Sequence, residues 1–146
     1  MNINDIQTEA PQIWFADGAR RSDMLQNIFD RQRELEEKYD EIEIANGYTL
    51  HKGLNVDLDD PQAQWYIKDA AYRMIEEISE ATNCLKNKPW KTTHVLTDQI
   101  HFYEELMDAL HFFVRLCLIV GLDAESVYKL YFKKSEVNKF RQESKY

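Results

Sequence analysis

At 146 residues, 44% hydrophobic and 30% charged, the chain has room for one domain with a real core and lacks the composition of a disordered segment. Four glycines and three prolines are too few turn-formers for a sandwich or barrel of many strands. A formal net charge of −8 disfavours a nucleic-acid partner, and no apolar run reaches the roughly 20 residues of a membrane span.

Residues 1–21 carry no sustained period and read as an N-terminal arm; residues 22–146 read as one helical domain. From Ser22, a candidate N-cap, to about Ala45, the residues Leu25, Ile28, Phe29, Gln32, Leu35, Glu36 and Tyr39 lie along one helical stripe. The stretch from Asn46 to Asp60 reads as a connecting loop. Asp60-Pro61 then announces a second helix, expected to reach Lys86, with Trp65, Ala70, Ala71, Met74, Ile75, Ile78 and Ala81 on a broad apolar face. A third helix should run from near Asp98 to Val120 and bury Tyr103, Leu106, Met107, Leu110, Phe113, Val114, Cys117 and Leu118. Gly121 is placed to end it in the left-handed conformation, and Asp123 to cap a fourth helix through Val127, Leu130 and Tyr131, extending towards Arg141. The predicted class is all-α, a bundle of four or five helices. Cys84 and Cys117 are too few for a disulfide framework and read as small core residues. With no signal-like N-terminus either, a cytoplasmic setting is expected.

Charge is unevenly spread. Residues 129–146 hold six basic side chains against Glu136 and Glu143, leaving the preceding 128 residues at −12. A basic tail on an acidic body fits a grip on something anionic, and equally a solvated helical surface.

The acids themselves are informative. Glu77 and Glu80 on the second helix, and Glu105 and Asp108 on the third, are both i, i+3 pairs, so each pair points from one helix face. Packed together, four carboxylates repel one another unless a cation neutralises them or they protonate. Oxygen-only ligands select a hard ion such as Mg²⁺, which keeps positions open for water and phosphate oxygens. The alternative is that these acids simply face solvent.

Glu77-Ile-Ser-Glu80, Trp90-Lys91 and Glu105-Leu-Met-Asp108, in that order, resemble the ExxE…ExxD signature of the all-α nucleoside triphosphate pyrophosphatases. The tail, Lys134-Ser-Glu-Val-Asn138-Lys-Phe140-Arg141-Gln142, resembles the KxxxNxFRQ motif of the dimeric dUTPases within that superfamily, and Tyr146 fits as well. The resemblance covers roughly residues 28–146. It implies that Glu77, Glu80, Glu105 and Asp108 bind two or more Mg²⁺ ions, with Glu77 orienting or deprotonating the attacking water. It further implies that Lys134, Asn138 and Arg141 hold the phosphates, that the substrate is dUTP cleaved to dUMP and diphosphate, and that the protein is a homodimer. In that family a QxxLN-like segment reads the uracil edge. Here Gln32-Arg-Glu-Leu35-Glu36 matches up to the last position, where Glu36 stands for Asn. An ionised acid only accepts hydrogen bonds, so Glu36 would favour a base presenting donors, which keeps dCTP or another pyrimidine triphosphate open as substrate. Trp90 suits stacking on base or sugar but also a core or interface position, and His111 suits either the pocket wall or a structural role. A non-catalytic helical interaction module on the same scaffold is the reading from a different class.

Overall fold

The computed structural model describes residues 23–48 and 54–144. These form four helices, α1 (Met24–Ala45), α2 (Pro61–Asn83), α3 (Gln99–Ile119) and α4 (Ala124–Glu143), with no strand among the described residues. The all-α expectation holds. The arm expected over residues 1–21, Ser22 and the terminal Tyr146 lie outside the described residues.

Every helix starts on an aspartate whose carboxylate accepts from a backbone N–H three residues on: Asp23 from Gln26, Asp60 from Ala63, Asp98 from His101 and Asp123 from Ser126. Each such bond satisfies one of the N–H groups that a helix start leaves without a partner, and it places negative charge at the positive end of the helix dipole. For Asp123 the bond to Ser126 holds the carboxyl below its ordinary range. Asp23, rather than Ser22, therefore caps α1. Helix α2 also stops short of Lys86. The N–H groups of Cys84 and Leu85 turn back to the carbonyls of Ala81 and Thr82, tightening the last turn and ending the helix. Beyond it the Asn87 amide bonds both the carbonyl and the N–H of Val95, at 2.7 and 2.8 Å, and ties the α2–α3 connection to itself.

α2 and α3 are the most extensively packed pair. Their buried residues include Ala63, Ala70, Ala81 and Ala109, small side chains that let two helix axes approach closely. α1 packs on α3, and α4 packs on α1. Phe29 of α1, Val114, Cys117 and Leu118 of α3, and Ala124 at the start of α4 form one core, flanked by Leu25, Leu122 and Val127. Cys117 behaves as the small core residue expected, its thiol pushed up by burial.

Several residues assigned to the core are instead exposed in the single chain. They are Trp65, Ile75 and Ile78 on α2, Tyr103, Met107, Leu110 and Phe113 on α3, and Leu130 and Tyr131 on α4. The apolar arcs on these helices are wider than the neighbours in one chain can cover, so apolar periodicity overstated what a monomer buries. Helix α4 is docked by its first turn, and most of its length beyond Val127 is exposed. No helix among the described residues is long and apolar enough to cross a membrane.

The turn between α3 and α4 is held closely. Gly121 has φ +82°, and a Cβ there would lie 2.5 Å from the Asn55 side-chain oxygen. The loop carrying Asn55 is itself fastened to α3, where Val56 N–H donates to the Ile119 carbonyl at 3.0 Å. Replacing Gly121→Ala should therefore lower stability by about 1–3 kcal/mol in urea unfolding, because a side chain is both strained at that φ and crowded.

Candidate metal and nucleotide site

Glu77 and Glu80 lie one turn apart on α2, and Glu105 projects from α3 across the seam. One carboxylate oxygen from each of the three lies within 4.8 Å of the others. Their burial differs: Glu105 is buried, Glu77 half-buried and Glu80 exposed. Asp108, one turn past Glu105, is outside this trio but lines the same cavity as Glu77. The pairing runs antiparallel, since Glu80 shares a cavity with His101 while Glu77 shares one with Asp108.

The electrostatics follow from the crowding. Desolvation first, then the charges of Glu80, Asp108 and Glu105, and finally a hydrogen bond with Glu105, push the Glu77 carboxyl above its ordinary range. Among the described residues no Lys or Arg forms an ion pair with Glu77, Glu80 or Asp108. Glu76, by contrast, turns to Arg73 at 3.6 Å and stays outside the cluster. His101 is a neighbour that the sequence reading missed. Its Nδ1 lies 3.2 Å from Glu105 and 3.7 Å from Glu104, and its i, i+4 spacing to Glu105 was the available signal. Three converging oxygen donors, with one carboxyl driven towards its neutral form, are a donor set that suits a hard divalent cation.

The cavity beside Glu77 and Asp108 has a volume of about 310 Å³ and is also lined by Gln32, Glu36, His111 and Arg115. Gln32 is only 3% exposed. Its Nε2 donates to Glu36 Oε1 at 2.7 Å, and its Oε1 lies 2.7 Å from His111 Nδ1. The second oxygen of Glu36 lies 3.3 Å from Arg115 Nε, a buried atom with no aligned hydrogen-bond partner. Gln32, Glu36 and His111 thus meet the acids at one cavity, and Arg115 joins them unforeseen. It sits on α3, seven residues past Asp108, a position that reads from sequence as a helix surface cation.

Other candidates lie elsewhere. Trp90, on the α2–α3 connection, is 76% exposed, with Lys88 Nζ 5.4 Å from its ring centre, and lines neither of the cavities that hold the acids. Lys134, Asn138 and Arg141 are exposed on α4 and line neither of them.

No protein-family model matches the chain, and no solved structure matches it. A curated protein described as dCTP pyrophosphatase, from Enterobacteria phage LZ5, is 29% identical over 97 residues, which cover 56% of this chain and 56% of that protein. The chain therefore spans little more than half the length of the relative it matches.

The crowded acids give a test of the site without any substrate. A carboxyl whose folded-state pKa is raised stabilises the fold most when protonated, and that contribution is lost as pH rises through the folded pKa. Metal-free Glu77→Gln should therefore melt at a higher temperature than the native protein near neutral pH. The gap should close as pH falls below the ordinary carboxylate range, and Mg²⁺ should raise the Tm of the native protein more than that of the variant. A variant that melts lower at neutral pH would show that Glu77 is not repelled by its neighbours.

Proposed function

We propose that the protein is a Mg²⁺-dependent pyrophosphatase of pyrimidine deoxynucleoside triphosphates, cleaving between the α- and β-phosphates to give the monophosphate and diphosphate. The observation that carries this reading is the convergence of Glu77, Glu80 and Glu105 beside a cavity walled by Gln32, Glu36 and His111. Carboxylates suited to a metal and hydrogen-bonding groups suited to a base line the same cavity. The resemblance of the acid signature and the similarity to a dCTP pyrophosphatase support it.

Glu77, Glu80 and Glu105, with Asp108 alongside, would hold the cation. When bound, Mg²⁺ supplies charge for the phosphate oxygens and makes a coordinated water more acidic. Glu77 is the residue we assign to orient the attacking water, since its environment already favours taking up a proton. Lys134, Asn138 and Arg141 are assigned to the phosphates, Arg as a planar fork, Lys as a point charge and Asn as an amide donor. Because they lie away from the acids in the single chain, reaching the phosphates requires movement of the distal part of α4 or delivery from a second subunit. The exposed Met107, Leu110 and Phe113 of α3, with Ile75 and Ile78 of α2, are the kind of apolar surface that a homodimer would cover.

Two bases compete. The tail motif points to uracil and hence dUTP. Glu36, as a charged acceptor where the family carries an amide, points to cytosine, as does the name of the phage relative.

The decisive measurement is diphosphate release from each common dNTP with Mg²⁺ and again with chelator. A pyrimidine triphosphate should turn over only with the metal, and no turnover of any nucleotide would leave the interaction-module reading in its place. Glu80→Gln should abolish turnover while keeping the helical fold, since one carboxylate can be neutralised without opening the core. Hydrogen exchange across residues 132–144 should slow when a non-hydrolysable triphosphate and Mg²⁺ are added. Unchanged exchange at saturating nucleotide would remove α4 from phosphate binding.

A further inference from the structure

Four side chains that line the cavity with Glu77 and Asp108 form one directed chain, Arg115–Glu36–Gln32–His111. The direction is set by chemistry at one member. The Glu36 carboxylate, ion-paired with Arg115, can only accept, so the Gln32 amide must turn its NH₂ to Glu36 and its oxygen to His111. At 2.7 Å that oxygen requires a proton on His111 Nδ1, which leaves Nε2 of a neutral imidazole as an acceptor. Arg115 Nε is close to Glu36 Oε2 but not aligned for a hydrogen bond, so it contributes charge while that oxygen keeps acceptor capacity. Glu36 and His111 both line the 310 Å³ cavity with Glu77 and Asp108.

We infer that Arg115 is a positioning residue for base selection, holding Glu36 and, through Gln32, fixing His111 as its Nδ1–H tautomer, so that the cavity offers two acceptors to an amino-bearing pyrimidine. The inference rests on the pyrimidine triphosphate reading and names the base within it. Cytosine offers the N–H bonds of its exocyclic amino group, whereas uracil carries a carbonyl oxygen at that position. An oxygen facing Glu36 meets like charge, and buried acceptors left without donors are costly. The charge of Arg115 also explains how a carboxylate only 13% exposed is kept beside other acids.

Glu36→Gln makes a sharp reversal. Arg115 would take the oxygen of the new amide, whose NH₂ then faces Gln32. Gln32 flips, and His111 Nδ1 becomes the acceptor, with the proton on Nε2. Nitrogen-15 spectra of the imidazole at mildly alkaline pH report the tautomer without substrate. The native protein should show Nδ1–H for His111, and Glu36→Gln should show Nε2–H. The dCTP to dUTP ratio of kcat/KM should fall by about tenfold or more in that variant, the scale of a mismatched buried hydrogen bond. Arg115→Met should lose the preference, and Arg115→Lys should largely keep it, which a merely structural role would not produce. An Nε2–H tautomer in the native protein, or a dCTP to dUTP ratio unchanged in both Glu36→Gln and Arg115→Met, would overturn the relay while leaving the pyrophosphatase intact. Failure of the native protein to turn over any dNTP would instead overturn the underlying reading, and the base preference with it.

Discussion

Mutual repulsion among carboxylates across the α2–α3 seam is the constraint around which the rest of the molecule is arranged. Glu77, Glu80 and Glu105 converge because i, i+3 spacing puts two of them on one face of α2 and because α3 packs close against it. Both helices bury small side chains, Ala63, Ala70 and Ala81 on α2 and Ala109 on α3, and small residues let helix axes approach closely. The same packing that stabilises the pair therefore concentrates its negative charge. Neighbouring charges enlarge the desolvation penalty on Glu77 instead of offsetting it, and its carboxyl rises accordingly.

Comparison of Glu76 with Glu77 shows how local the effect is. The two are adjacent in sequence, yet Glu76 turns outward to Arg73 on the solvated face, where an ion pair between half-exposed groups contributes little. One step around the helix, Glu77 meets three acids and no basic partner from Lys or Arg among the described residues. His101, 3.2 Å from Glu105, is a cationic candidate beside the cluster, and it carries charge only when protonated. A fold that leaves such a group uncompensated is poised to gain stability from a divalent cation, and this is the physical content of the metal assignment.

Much of this was legible in sequence. Asp60, Asp98 and Asp123 marked helix starts because a capping carboxylate followed by an apolar period has few other uses, and Gly121 marked a helix end because its φ is one that other residues avoid. Spacing put each acid pair on one face of its helix, but that Glu105 meets Glu77 and Glu80 while Asp108 stays outside the trio came from packing. What sequence did not give was the depth of burial. Met107, Leu110 and Phe113 carry the period of a core stripe yet lie exposed, because periodicity reports which face is apolar and not what covers it. Arg115 was equally invisible, since its partner Glu36 is on another helix, 79 residues away in sequence, and only tertiary packing brings them together. The same holds for His111 and Gln32, which meet across two helices, with the Gln32 amide turned by its bond to Glu36.

The cavity between α1 and α3 thus contains acids in two different electrostatic conditions. Glu36 already has its counter-charge in Arg115, so it has little to gain from a metal ion and remains available as a neutralised, fixed acceptor. Glu77 and Asp108, on the same cavity, have no such partner and stand to gain most from a cation. Under the proposed function, a single arginine would divide one acidic cavity into a part for metal and phosphate and a part for a base. Ligation by oxygen alone would not separate these roles, since every one of these side chains carries the same functional group. The separation comes from which carboxylate is paired and which is not, and for Glu36 that pairing was decided by the packing of α1 on α3.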